Sequence, residues 1–174
     1  MSRTRMVWSK GHKALPKADW LLEAVPGVGN VGKLVVDSLV EGYESELVAK
    51  ILHPDLPPHA TLDSDGFLIP PSLDIHQVTL PKGGTLLTLS SNFQPITPAG
   101  QYEVASELLE ACKSAGVGRV LILAGLAAEP GDDAVHLVCP SAEDRGAMEK
   151  LGLVTSTEHP SAGIIGLTGM IASL

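Results

Sequence analysis

At 174 residues the chain has the size of one domain with a core of its own. Its residues are 44% hydrophobic but only 3% aromatic, which predicts a core of Leu, Val, Ile and Ala, as in buried parallel sheets, and no apolar run reaches the length of a membrane span. Arg3, Arg5, Lys10, Lys13 and Lys17 all precede the first acid, Asp19, leaving seven basic side chains against 20 acidic ones, a balance that repels a phosphate backbone and argues against a nucleic-acid partner.

The first 18 residues read as a basic arm or a leading edge strand, and 19–174 as a single α/β domain. The N-terminus lacks the apolar core of a secretion signal. Cys112 and Cys139 are far apart in apolar surroundings and read as reduced thiols, so a cytoplasmic protein is expected.

The first strand is Trp20 to Val25, and the turn Pro26-Gly27-Val28-Gly29-Asn30-Val31-Gly32-Lys33 follows it. Helix one starts near Asn30, a good cap residue, and places Val31, Leu34, Val35, Ser38 and Leu39 on one face until Gly42 ends it. A strand over Glu46 to Leu52 leads into Pro54-Asp55-Leu56-Pro57-Pro58-His59, which cannot be regular structure. Thr61-Leu62-Asp63 and Phe67-Leu68-Ile69 flank Ser64-Asp65-Gly66 as a hairpin. Strands follow at Ile75 to Leu80 and Thr85 to Leu89. Thr97 caps a long helix with Pro98 at its first position, and Tyr102, Ala105, Leu108, Leu109 and Cys112 should face the sheet. Further strands are expected at Val120 to Leu123 and Ala134 to Cys139, and a polar helix at Ala142 to Leu151. The apolar segment Ile164 to Leu174 needs cover, which predicts self-association. Strands alternating with amphipathic helices predict a three-layer α/β/α sandwich around a mostly parallel or mixed sheet, with Leu21, Val35, Leu87, Leu108 and Ile122 in its core.

The glycine turn meets two nucleotide-binding patterns and completes neither. Gly27, Gly29 and Gly32 satisfy G-x-G-x-x-G, but the second strand ends in His53-Pro54 and Asp55 comes late for a ribose ligand. Gly27 through Lys33 fits a phosphate loop, yet Leu34 stands where a Mg²⁺-ligating hydroxyl belongs. Two readings remain open. Either the glycines serve the backbone of a tight strand-to-helix turn, or Gly27, Gly29, Asn30, Gly32 and Lys33 hold a phosphate-bearing cofactor.

Other constellations are sparse. His53, Asp55 and His59 lie close enough to suggest a metal, but the prolines between them oppose a preformed site, and no metal is expected. Ser90-Ser91-Asn92 follows a strand, so Ser91 is a candidate nucleophile or oxyanion donor. There is no G-x-S-x-G elbow, no acid/base cluster, and no catalytic residue is assigned.

The order of these parts resembles the proteasome assembly chaperone 2 family in its archaeal and bacterial form. Val25 to Lys33 looks like its P-G-[IV]-G-x-V-G-K turn. Pro54 to Pro58 with the Asp65-Gly66 hairpin, Asn92-Phe93-Gln94-Pro95, Gly100-Gln101-Tyr102-Glu103, Gly125-Leu126-Ala127 and Gly163 to Gly169 complete the set from about Trp20 onward. The resemblance implies a nucleoside-phosphorylase-like α/β/α sandwich without phosphorylase chemistry. It further implies a non-enzymatic chaperone or scaffold, usually oligomeric, that docks on proteasome α-subunits. Members are sometimes labelled ATP-grasp-like, a label the glycine turn would explain. The chain departs from the family at one end. Ala172-Ser173-Leu174 stands where docking members carry a hydrophobic-Tyr-any tripeptide, and the last strand–helix unit of longer members is not found, so affinity for α-subunits should depend on that tripeptide.

Overall fold

The computed structural model describes residues 3–127, 129–132, 134–156 and 163–174. Strand β1 (Arg5–Trp8) and β2 (Trp20–Ala24) precede a single 3-10 turn at Val28–Asn30 and helix α1 (Val31–Gly42). Then come β3 (Ser45–Leu52), the short β4 (Thr61–Leu62) and β5 (Leu68–Ile69), β6 (Leu73–Thr79), β7 (Thr85–Ser91), α2 (Pro98–Ala115) and β8 (Arg119–Ile122). Helices α3 (Ala142–Lys150) and α4 (Gly166–Ser173) follow.

Six strands form one sheet in the order β1-β3-β6-β7-β2-β8, and β4 and β5 make a separate hairpin. The sheet is mixed. β1, β3, β6 and β7 pair antiparallel, whereas β2 runs parallel to both β7 and β8. The antiparallel half follows from local chemistry. Gly83 and Gly84, at φ 82° and 92°, close β6 directly onto β7. The parallel half needs helical crossovers.

Side chains alternate across β2 and divide the molecule into layers. Leu21 joins the large core with Val104, Ala105 and Leu108 of α2 and Leu167 and Ile171 of α4. Leu22 and Ala24 face the other way, onto Val36 of α1. The sheet is thus covered by α1 on one face and by α2 and α4 on the other.

Leu21, Leu87 and Leu108 are fully buried, as expected of core residues. Val35 is not: it is 45% exposed, beside exposed Val31 and Leu34. The cause is Gly32, where a Cβ would overlap the carbonyl oxygen of Leu123. The first turn of α1 is pressed onto the chain leaving β8, so Gly32 and Val36, one helical turn apart, face the sheet. Ile122 packs at the margin of the core and is half-buried. The strand expected at Ala134 to Cys139 does not form; a lone bridge joins Leu137 to Thr155. The apolar run from Ile164 onward is covered in its middle, where Leu167, Thr168 and Ile171 are buried, and open at both ends, where Ile164, Ile165 and Leu174 are exposed. No helix among the described residues is long and apolar enough to cross a membrane.

Candidate functional site

Gly27 has extended backbone and open space where a Cβ would point, with Val25 O the nearest atom at 3.9 Å. Gly29, at φ 61°, needs its freedom. Asn30 follows in the left-handed region at φ 52° and makes no side-chain cap hydrogen bond; its N–H instead donates to Gly27 O at 3.1 Å. Gly32 is pressed against Leu123, and a Cβ at Gly125 would overlap the Val28 carbonyl oxygen. Residues 123–125 therefore lie directly over the turn. Lys33 reaches forward along α1 and pairs with Asp37, whose other oxygen accepts from Ser90 Oγ at 2.8 Å.

Other quoted motifs converge on this turn. The Gln94 side-chain amide donates to Pro26 O at 3.1 Å and accepts from the Leu167 N–H at 3.1 Å. Gly166, at φ 84°, leaves room for that amide oxygen, which would sit 2.7 Å from a Cβ. A second joint forms at the start of α2. Asp55 Oδ2 accepts from the Thr97 N–H at 2.6 Å and from Thr97 Oγ1 at 2.8 Å, and Gly100 is the residue whose Cβ would overlap it. The Thr97 N–H is the main reason the Asp55 carboxyl sits below its ordinary value.

His53, Asp55 and His59 do not converge on a cation site. His53 Nδ1 accepts from the Asp55 N–H, so Nε2 carries the proton and donates to Glu103 Oε2 at 3.0 Å. Arg3 also holds Glu103, and its hydrogen bonds, with that of His53, bring this carboxyl down to about 2. His59 packs against Phe93 with ring centroids 5.5 Å apart and planes tilted by 41°. Among the described residues no group of His, Cys, Asp and Glu has the arrangement of a metal site. Ser91 Oγ donates to Ser72 O at 2.7 Å and accepts from the Phe93 N–H at 2.9 Å, shaping the end of β7.

A cleft of about 180 Å³ opens beside α1, its wall shared between the polar Lys33, Asp37, Asp74 and His76 and the apolar Val40 and Phe93. Three of its charges are paired: Lys33 with Asp37 across the wall, and Asp74 with Lys50 from outside it at 2.5 Å. Burial lowers the His76 pKa, and its Nδ1 finds no hydrogen-bond partner among the described residues. Burial also lifts the Cys112 thiol to about 11, which disfavours the reactive thiolate.

Sequence reasoning passed over Glu23. It lies in β2, fully buried, with Thr168 Oγ1 3.3 Å from its Oε1 and, among the described residues, no partner for Oε2. The available signal was an acid inside the apolar run Trp20-Leu21-Leu22-Glu23-Ala24-Val25.

This arrangement defines a class: an α/β/α domain whose glycine, proline and amide motifs act as joints between elements. A family-wide sequence model described as the PAC2 family matches residues 21–174, and the chain belongs to that family. The uncharacterized protein MJ1210 of Methanocaldococcus jannaschii is 26% identical over 158 residues, 87% of this chain and 58% of that protein. The chain thus spans little more than half the length of this curated relative. Its fold is that of Pyrococcus furiosus PbaB, described as an archaeal proteasome activator, with TM-score 0.80, 16% identity, and 98% of this chain and 74% of that one covered. P. furiosus PbaA, described as an archaeal homolog of proteasome-assembly chaperone, is similar with TM-score 0.70, 22% identity, and coverage of 97% and 69%. A PAC2 family protein from Streptomyces avermitilis aligns with TM-score 0.68, 18% identity, and coverage of 88% and 68%.

Proposed function

We propose that the protein is a non-enzymatic assembly chaperone or binding scaffold acting on proteasome α-subunits in the cytoplasm, as a homo-oligomer. Family membership over 21–174 carries the reading, and the fold shared with PbaA and PbaB agrees with it. Those motifs whose contacts are described above serve as joints: Gln94 ties the glycine turn to α4, and Asp55 ties the proline-rich loop to α2. Exposed Val28, Val31, Leu34 and Val35 leave an apolar strip along the start of α1, the kind of surface a protein partner covers.

The alternative is a nucleotide- or small-molecule-dependent enzyme using Gly27, Gly29, Asn30, Gly32 and Lys33. It draws less support. Residues 123–125 occupy the space over the turn, and Asp37 neutralises the Lys33 ammonium. Mixing the protein with purified proteasome α-subunits, and separately with Mg-ATP, separates the readings. Co-migration with α-subunits supports the scaffold. A rise in melting temperature with ATP, lost in Lys33→Ala, supports the enzyme.

A further inference from the structure

Glu23 is a carboxyl set in a layer of hydrocarbon. Leu21 and Val25 flank it on its own face of the sheet, and Leu167 and Ile171 come down from α4 on either side of Thr168. Its two neighbours in the sheet are Leu89 of β7 and Ile122 of β8. Thr168 Oγ1, at 3.3 Å, is its one side-chain partner among the described residues, and Oε2 has none. A charged carboxylate placed there, with a single hydroxyl to solvate it, is strongly disfavoured; a protonated one is tolerated.

Among the described residues little else can balance a charge at that point. β7 and α4 carry no titratable side chain. The only one on β8, Arg119, lies over the Trp20 ring at 5.5 Å. On α2, Cys112 is buried and held neutral, Glu103 is bound to Arg3 and His53, Glu107 is half-buried, and Tyr102, Glu110 and Lys113 are exposed. Burial pushes the Glu23 carboxyl up to about 7, the Thr168 hydroxyl draws it partly back, and no cation contributes.

We propose that Glu23 is a proton-held latch for α4: the helix seats on the sheet while the carboxyl is protonated and lifts when it ionises. Lifting α4 gives the carboxylate the water it lacks beneath Thr168. The movement also reaches the glycine turn. Gln94 accepts from Leu167 at the start of α4 and donates to Pro26 O, so unseating α4 removes one of the two bonds that hold this amide in place. The surface this helix shares with α2 and the sheet thus becomes pH-sensitive.

The sign follows from linkage. The folded carboxyl titrates near 7 and the exposed one near 4.5. Stabilisation of the seated helix is therefore full below about 4.5, declines as pH rises, and is gone above about 7. Opening of α4 should rise about tenfold between pH 6 and pH 9, most of it below the folded pKa and levelling above it.

Hydrogen–deuterium exchange of the α4 amides in the full chain, corrected for intrinsic base catalysis, tests this directly. The native protein should show the pH-dependent rise. Glu23→Gln, which keeps shape and cannot ionise, should exchange independently of pH. Thr168→Val removes the hydroxyl that favours the charged form, so the midpoint should move to higher pH. A flat profile in the native protein, the same rise in Glu23→Gln, or an unmoved midpoint in Thr168→Val would overturn the latch. If Glu23→Gln does not fold, the native profile and Thr168→Val decide.

Discussion

Gln94 and Leu167, 73 residues apart, share a hydrogen bond of 3.1 Å between a side-chain amide oxygen and a backbone N–H, and the same amide donates to Pro26 O. One side chain thereby fastens the turn after β2 to the start of α4. The Leu167 N–H lies in the first turn of a helix and has no carbonyl of its own to bond, so Gln94 supplies what the helix lacks.

Gln94→Ala should destabilise the fold by about 1–3 kcal/mol, since it removes two hydrogen bonds and leaves their backbone partners part-buried. Gln94→Glu should also weaken it, because a carboxylate cannot donate to Pro26 O. Denaturant midpoints measure both; wild-type stability in Gln94→Ala would remove the joint from this account.

The glycines of the turn should rank in a definite order. Gly27→Ala should be close to neutral, because its backbone is extended and its Cβ direction is open. Gly29→Ala should cost about 1 kcal/mol for its positive φ. Gly32→Ala should cost more, because its Cβ would overlap backbone at Leu123. Midpoints of urea unfolding give the order; equal losses at Gly27 and Gly32 would contradict it.

The alternation of strands and helices, the Thr97 cap and the core at Leu21, Leu87 and Leu108 were legible because each is a local pattern. Thr97 Oγ1 accepts from the Gly100 N–H at 3.2 Å, as its position before Pro98 implied. The facing of α1 was not legible. Its apolar residues suggested one inward face, while the packing of Gly32 on Leu123, 91 positions away, set another. The strand expected at Ala134 to Cys139 failed for a related reason: a short apolar run becomes a strand only where a neighbour pairs with it. The pairing of motifs through Gln94 and Asp55 is tertiary, and composition carries no trace of it.

Glu103 should make the N-terminal strand sensitive to acid. Its carboxyl is held down to about 2 by Arg3 first and His53 next. The stabilisation is present above the ordinary carboxyl value and is lost as pH falls towards 2. Glu103→Gln should lower the melting temperature at neutral pH and flatten its dependence over that acidic window. An unchanged acid limb in the variant would count against the Arg3–Glu103–His53 network.

ATP should neither stabilise the protein nor be turned over by it. Lys33 has Leu34 beside it in place of a Mg²⁺-ligating hydroxyl, and Asp37 already holds its ammonium. Phosphate release measured against Lys33→Ala checks this; turnover above that control would reopen the enzymatic reading.

Sedimentation velocity of the protein titrated with purified proteasome α-subunits tests the central claim most directly. The account predicts a saturable complex that sediments faster than either component, strengthened when a hydrophobic-Tyr-any tripeptide follows the chain. Independent sedimentation of the two at high concentration, with and without that tripeptide, would contradict it.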